Sequence, residues 1–160
     1  MAIYLEYEGI DGDATAEGYE KHVKIDTVQF GVGRGISMEP GNLANREATK
    51  PTISEVSLTK FVDNATISLF TEAIAGAAGK TVKIKFVQTG TDKLTEYMCY
   101  ELTDCLGSGY NISASSEGNP SENVTLSFSK ITVNFSGFDA TNTSASPQRV
   151  AYDLATAKKQ

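Results

Sequence analysis

The stretch Val124-Thr125-Leu126-Ser127-Phe128-Ser129-Lys130-Ile131-Thr132-Val133-Asn134-Phe135 carries the reading of the fold. Its apolar residues fall on even numbers as far as Phe128 and on odd numbers from Ile131. Alternation of this kind marks a β-strand with one buried face. A one-residue change of phase turns the other face inward, as a β-bulge or sharp bend does. The switch falls at Ser129-Lys130. A second switch separates Val23 and Ile25 from Val28, Phe30 and Val32, near Asp26-Thr27. Strongly bent strands let a small sheet curl into a barrel.

Outward from these two bends the same period recurs. Ile3, Leu5 and Tyr7 alternate with Tyr4, Glu6 and Glu8. Val82, Ile84 and Phe86 alternate with Lys83 and Lys85, and Met98, Tyr100 and Leu102 with Cys99 and Glu101. A short closing strand is expected around Val150-Leu154. Antiparallel sheets with one solvated face read this way. One segment has helical spacing. Ile67, Phe70, Thr71 and Ile74 predict a helix over 65–78 that lays its Ile67/Phe70/Ile74 face on the barrel. Asp63 or Asn64 is placed to cap it, Gly76 weakens its end, and Gly79 is the expected stop. The predicted fold is a single mainly β domain over 1–160. It is a small antiparallel β-barrel of two packed sheets with one α-helix.

Two stretches lack a period. Arg34 to Lys50 contains Gly35, Pro40, Gly41, Asn42 and Asn45 and reads as a long extended loop, which in a small domain usually has a function. Ser136 to Ser146 reads as a linker before Pro147.

Composition narrows the function. The chain has 160 residues, 40% of them hydrophobic, and a net charge of −6. It is long enough for a real core. An acidic surface repels nucleic acid and anionic lipid. No run approaches the roughly 20 apolar residues of a membrane span. No export signal is visible at Met1-Ala2-Ile3-Tyr4-Leu5-Glu6, so synthesis and folding in the cytoplasm are expected. Cys99 and Cys105 on one extended strand would lie about 20 Å apart. A disulfide needs Cα atoms within about 7 Å, so both are expected as free thiols.

Catalytic patterns are weak. His22 is the sole histidine, and its place in an alternating strand makes it a structural residue rather than a general base. Asp11 and Asp13 flank Gly12 without the remaining spacing of a calcium loop. Gly31-x-Gly33-x-Gly35 does not open a helix, so it is no phosphate cradle. Five Asn-x-Ser/Thr triplets, at Asn64, Asn111, Asn123, Asn134 and Asn142, carry no weight without a secretory signal. No metal, cofactor or catalytic set is expected.

Five segments in order carry a family resemblance: Ile3-Tyr4-Leu5-Glu6-Tyr7-Glu8-Gly9; Ile25-Asp26-Thr27 leading to Phe30-Gly31-Val32-Gly33; Leu58-Thr59-Lys60-Phe61-Val62-Asp63-Asn64-Ala65-Thr66; Glu122-Asn123-Val124-Thr125-Leu126-Ser127-Phe128; and Val150-Ala151-Tyr152-Asp153-Leu154. Together they resemble the haemolysin-coregulated protein (Hcp) family, the tube subunit of the bacterial type VI secretion system. The chain departs from it at Gln29 and Val32, where the family often has aromatic residues. The resemblance implies hexameric rings that stack into a tube and are expelled by a contractile sheath behind a spike protein. Small effector proteins ride in the lumen. The protein would then be secreted without a signal peptide and would not be an enzyme. Met38, Leu43, Arg46 and Lys50 are expected to serve ring stacking, and Thr27, Gln29 and Gly31 to face the lumen. A tube protein of a phage or phage-like contractile tail is the alternative reading.

Overall fold

The structure, a computed structural model, describes residues 1–39, 42–48, 50–89, 94–136 and 148–159, with backbone alone between 37 and 48. In chain order the elements are β1 (Ala2–Tyr7), β2 (Val23–Ile25), β3 (Thr27–Gln29), β4 (Val32–Gly33), β5 (Ile36–Glu39), β6 (Asn42–Ala48), β7 (Thr52–Ile53), β8 (Val56–Phe61), α1 (Thr66–Ala75), β9 (Lys80–Thr89), β10 (Leu94–Ser113), β11 (Ser121–Ser127), β12 (Lys130–Phe135), β13 (Gln148–Asp153) and β14 (Lys158–Lys159). The linker expected over 136–146 lies outside the described residues beyond Ser136.

Every ladder among the described residues is antiparallel. One sheet runs β2–β1–β9–β10–β12–β13–β14, and the other β10–β11–β8–β3. Each expected phase switch is a corner where the chain leaves one sheet for the other. Between β2 and β3 the Asp26 amide donates to the Thr59 carbonyl at 2.8 Å. Between β11 and β12 the Ser129 amide donates to the Thr103 carbonyl at 3.1 Å. A third corner lies inside β10, whose first half pairs with β9 and β12 and whose second half pairs with β11. Asp104 takes φ 55° there, and Leu102 and Cys105 both point into the core. The odd spacing of those two residues was the available signal.

The sheets enclose one main core, with Leu5, Val23, Val56, Leu58, Leu69, Val82, Ile84, Leu102, Val124 and Leu126 at its centre. They do not close into the expected barrel. β3 stops at Gln29 and the chain turns away into the β4–β7 ladder, so among the described residues no ladder joins β3 to β13. The stretch 34–50 also differs from the expected irregular loop. Among its described residues β5 and β6 pair antiparallel, Ile36 opposite Ala48 and Glu39 opposite Asn42. On the outer face of the first sheet, Tyr4 and Cys99 are buried although alternation put them on the solvated side. Tyr19 stacks on Tyr4 at 4.9 Å, and Tyr4, Ala14 and Val87 form a second small cluster. The segment between β1 and β2 thus covers that part of the sheet. Both cysteines are free.

The helix is shorter than expected and turned about its axis. It ends at Ala75 because Gly76 is extended (ψ 116°), its amide closing the last turn on the Glu72 carbonyl at 3.1 Å. A Cβ on Gly76 would lie 2.6 Å from that carbonyl oxygen, so a side chain has no room there. Ala65 and Leu69 face the core, whereas Ile67, Phe70 and Ile74 are 74%, 44% and 69% exposed. The inward side is the one with small residues because the sheet backbone comes close: a Cβ on Gly107 would meet the Ala73 amide nitrogen at 3.4 Å.

Candidate assembly surfaces

The junction of β8, α1 and β11 is held by charge inside the molecule. Val56, Leu58 and Lys60 share the inward phase of β8, and Glu122, Val124 and Leu126 that of β11. Lys60 and Glu122 are register partners. Lys60 Nζ donates to Glu122 Oε2 at 3.1 Å, to Asp63 Oδ1 at 2.8 Å and to the Phe61 carbonyl at 2.9 Å. All three ammonium protons are therefore used. Asp63 Oδ1 also accepts the Ala65 amide at 2.9 Å, but Ala65 is itself the N-cap and no side chain caps the helix. Neither Asp63 nor Asn64 therefore fills the capping role expected of it, each being committed to other partners. Thr66 Oγ1 accepts the Asp63 amide at 3.0 Å and donates to Glu122 Oε1. Asn64 donates instead to the Gly12 carbonyl at 3.3 Å. Burial, with the adjacent Glu122 carboxylate, pushes the Tyr110 hydroxyl above its ordinary pKa. This network lies within two of the segments that carry the family resemblance.

The two sheets present unlike outer faces. On the first, Glu6, Lys83 and Glu101 stand side by side on β1, β9 and β10, with Lys85 one pair along. Lys85 Nζ bridges Glu6 Oε2 at 2.9 Å and donates to His22 Nε2 at 3.1 Å. His22 Nδ1–H in turn donates to the Glu20 carbonyl at 3.1 Å, so both ring nitrogens are engaged. On the second sheet one row reads Thr27–Thr59–Asn123–Asn111 and the next Gln29–Ser57–Thr125–Gly109. Neither row holds an ionisable side chain. Asn123 Nδ2 donates to Ser57 Oγ at 3.1 Å across it.

Thr27 and Gln29 thus belong to one neutral hydrogen-bonding face, and both are exposed. Gly31 lies beyond the end of β3, where its amide donates to Ser54 Oγ at 2.9 Å and its carbonyl accepts the Ser54 amide at 3.0 Å. Val28 and Phe30 pack on the core as expected. Val32 does not: it is 59% exposed, because the chain has already left the sandwich for β4. Lys50 is exposed. The side chains of Met38, Leu43 and Arg46 lie outside the described ones.

An apolar groove of about 170 Å³ opens where the sandwich fails to close, lined by Phe30, Val32, Ile53, Val133, Val150 and Tyr152 among others. Sequence reasoning missed both this groove and the outward row of α1. The signal for the row was present, since Leu69 and Ala65 also fit a helical stripe. Among the described residues no group of three or more His, Cys, Asp or Glu side chains is arranged to hold a metal ion. Burial raises the Cys99 thiol to about 11 and the Cys105 thiol to about 12, so neither is a ready nucleophile.

No curated protein sequence matches the chain. Among solved structures it is similar to a type six secretion system protein (23% identity, TM-score 0.90, covering 99% of each chain). It is similar also to Hcp1 from Salmonella typhimurium (20% identity, TM-score 0.78, covering 99% of this chain and 98% of that one). A type VI secretion system effector from Yersinia pestis shares the fold too (17% identity, TM-score 0.75, covering 94% and 98%). The profile of the family described as "Type VI secretion system effector, Hcp" matches residues 4–135, most of the chain, and the protein therefore belongs to the Hcp family of type VI secretion.

Proposed function

We propose that the chain is the structural subunit of the type VI secretion inner tube. Copies form hexameric rings, and the rings stack. The tube is assembled in the cytoplasm, engages the sheath and spike proteins, and is expelled with small effector proteins in its lumen. The role is structural and not enzymatic. The match to the family over residues 4–135 is the observation that carries this reading. The neutral Thr27/Gln29 face supports it, with Gly31 at its margin. A channel wall without fixed charges offers hydrogen bonds to many cargo surfaces while repelling none. The β5–β6 pair supports it as well. A lone two-stranded ribbon is marginal in water, and this one carries Met38, Leu43 and Arg46 near Lys50, a composition suited to contact with the next ring.

Two measurements test this. Light scattering across a concentration series should give the mass of six subunits. The protein should also appear in the medium of cells with a working type VI apparatus and be absent when the sheath gene is deleted. A monomer at every concentration, or release that ignores the sheath deletion, overturns the reading.

A further inference from the structure

Rings of identical subunits close through a heterologous contact, in which one patch of each copy meets a different patch of the next. The chain carries two unlike apolar features that the described residues leave at least partly uncovered; in the first, the Phe70 ring leans edge-on against Tyr110 at 5.3 Å and is still 44% exposed. The first is convex. Ile67, Phe70 and Ile74 stand at i, i+3 and i+7 on the outer side of α1. At about 1.5 Å per residue the row is roughly 10 Å long. Three side chains this exposed present on the order of 300 Å² of apolar surface, the size of the largest patch on a typical soluble monomer, which is often functional. The second is concave: the groove at the open side of the sandwich, lined by Phe30, Val32, Ile53, Val133, Val150 and Tyr152.

We propose that α1 of one copy docks into this groove of its neighbour around the ring. The proposal rests on the ring reading above and assigns the surfaces that make it. Anchors at i, i+3 and i+7 are how an amphipathic helix occupies an apolar groove. Size agrees: a cavity of roughly 150 Å³ admits benzene, so one of about 170 Å³ admits the ring of Phe70 or the branched end of Ile74. Charge agrees as well. Neither the row nor those six lining residues include an Asp, Glu, Lys, Arg or His, and Glu72, the one charged residue of α1, is engaged by Lys80 at 2.6 Å. Burying the two against each other therefore strands no charge. Occupation of the groove also fits the open sandwich: the side that no ladder closes among the described residues is covered by the next copy's helix.

The test uses the full chain and two single variants at exposed sites, Ile74→Glu on the helix and Val150→Glu in the groove. Circular dichroism and a thermal melt check that each variant folds, and light scattering gives the mass. The parent should have the ring mass and each variant alone the mass of one subunit. An equimolar mixture should give a dimer, because the intact groove of I74E accepts the intact helix of V150E. Ring mass in either variant overturns the pairing, as does a mixture that stays monomeric. Ile67→Glu and Val32→Glu repeat the pair if a first variant misfolds. A parent that is monomeric at all concentrations overturns the ring reading itself, and the pairing with it.

Discussion

Lys60 and Lys85 each meet a carboxylate across a pair of neighbouring strands, but one pair is sealed inside the molecule and the other lies on its surface. The Lys60 and Glu122 side chains are 0% exposed, whereas Lys85 and Glu6 are 17% and 50% exposed. The bond lengths, 3.1 and 2.9 Å, would rank them the other way. Burial decides the energetics. A buried ion that loses its partner keeps its desolvation penalty, while an exposed one is rescued by water and salt.

Removing the inner cation should have the largest effect. Lys60→Met leaves the Glu122 and Asp63 carboxylates together in a dry site, and losing a buried partner costs about 3–5 kcal/mol. Urea unfolding of the variant below the ring-forming concentration measures it. Lys60→Met with Glu122→Gln should recover part of the loss by removing one of the two stranded charges. A single variant within about 1 kcal/mol of the parent would show that the charges were never committed to one another.

The helix offers the same contrast without charge. Leu69→Ala should cost about 2–5 kcal/mol, the range for a leucine emptied from a packed core. Ile67→Ala, two residues away, should stay within about 0.5 kcal/mol in the single subunit, as exposed sites do. Equal effects would mean that the helix is seated the other way round. Asp63→Ala falls next, at about 1.5–3 kcal/mol, the range for hydrogen bonds to a charged group. Its Oδ1 serves both the Ala65 amide and Lys60, so the upper end is expected, and K60M should reduce the effect if the two bonds are coupled.

These contrasts also show what could be read in the sequence. The corners at Asp26 and Ser129 were legible because a phase change in alternation is a local signal. The corner at Asp104 was passed over because Cys99 and Cys105 were taken to lie on one extended strand. Closure of the barrel was not legible. It depends on where β3 ends relative to β13, residues far apart in the chain. The helix failed for a different reason. Periodicity finds an apolar stripe but not which stripe is covered, and α1 has two. Its large one points outward because the close approach of Gly107 admits only the side bearing Ala65, Leu69 and Ala73. Lys60 and Glu122 were legible as a motif of the family, yet their inward phase was also in plain view beside Val56, Leu58, Val124 and Leu126. Alternation read only through apolar residues passes over a buried pair of ions.

The smallest effect belongs to the outer pair. The hydrogen bond from Lys85 holds the Glu6 carboxyl below its ordinary pKa, partly opposed by burial. A depressed carboxyl binds fewer protons folded than unfolded. Its contribution is therefore present above the ordinary carboxylate range and is lost as pH falls through the folded pKa. Half the side chain is in water, so Glu6→Gln should cost less than about 1 kcal/mol at pH 7. That small loss should shrink in 0.5 M salt, since exposed charges are screened. At pH 2 parent and variant should unfold together, because the parent has by then lost the same interaction. Urea titrations at both pH values and both salt concentrations read all three outcomes. A loss above about 2 kcal/mol at pH 7 that salt leaves unchanged would place Glu6 in the same class as Glu122, and the distinction drawn between the two lysines would fall.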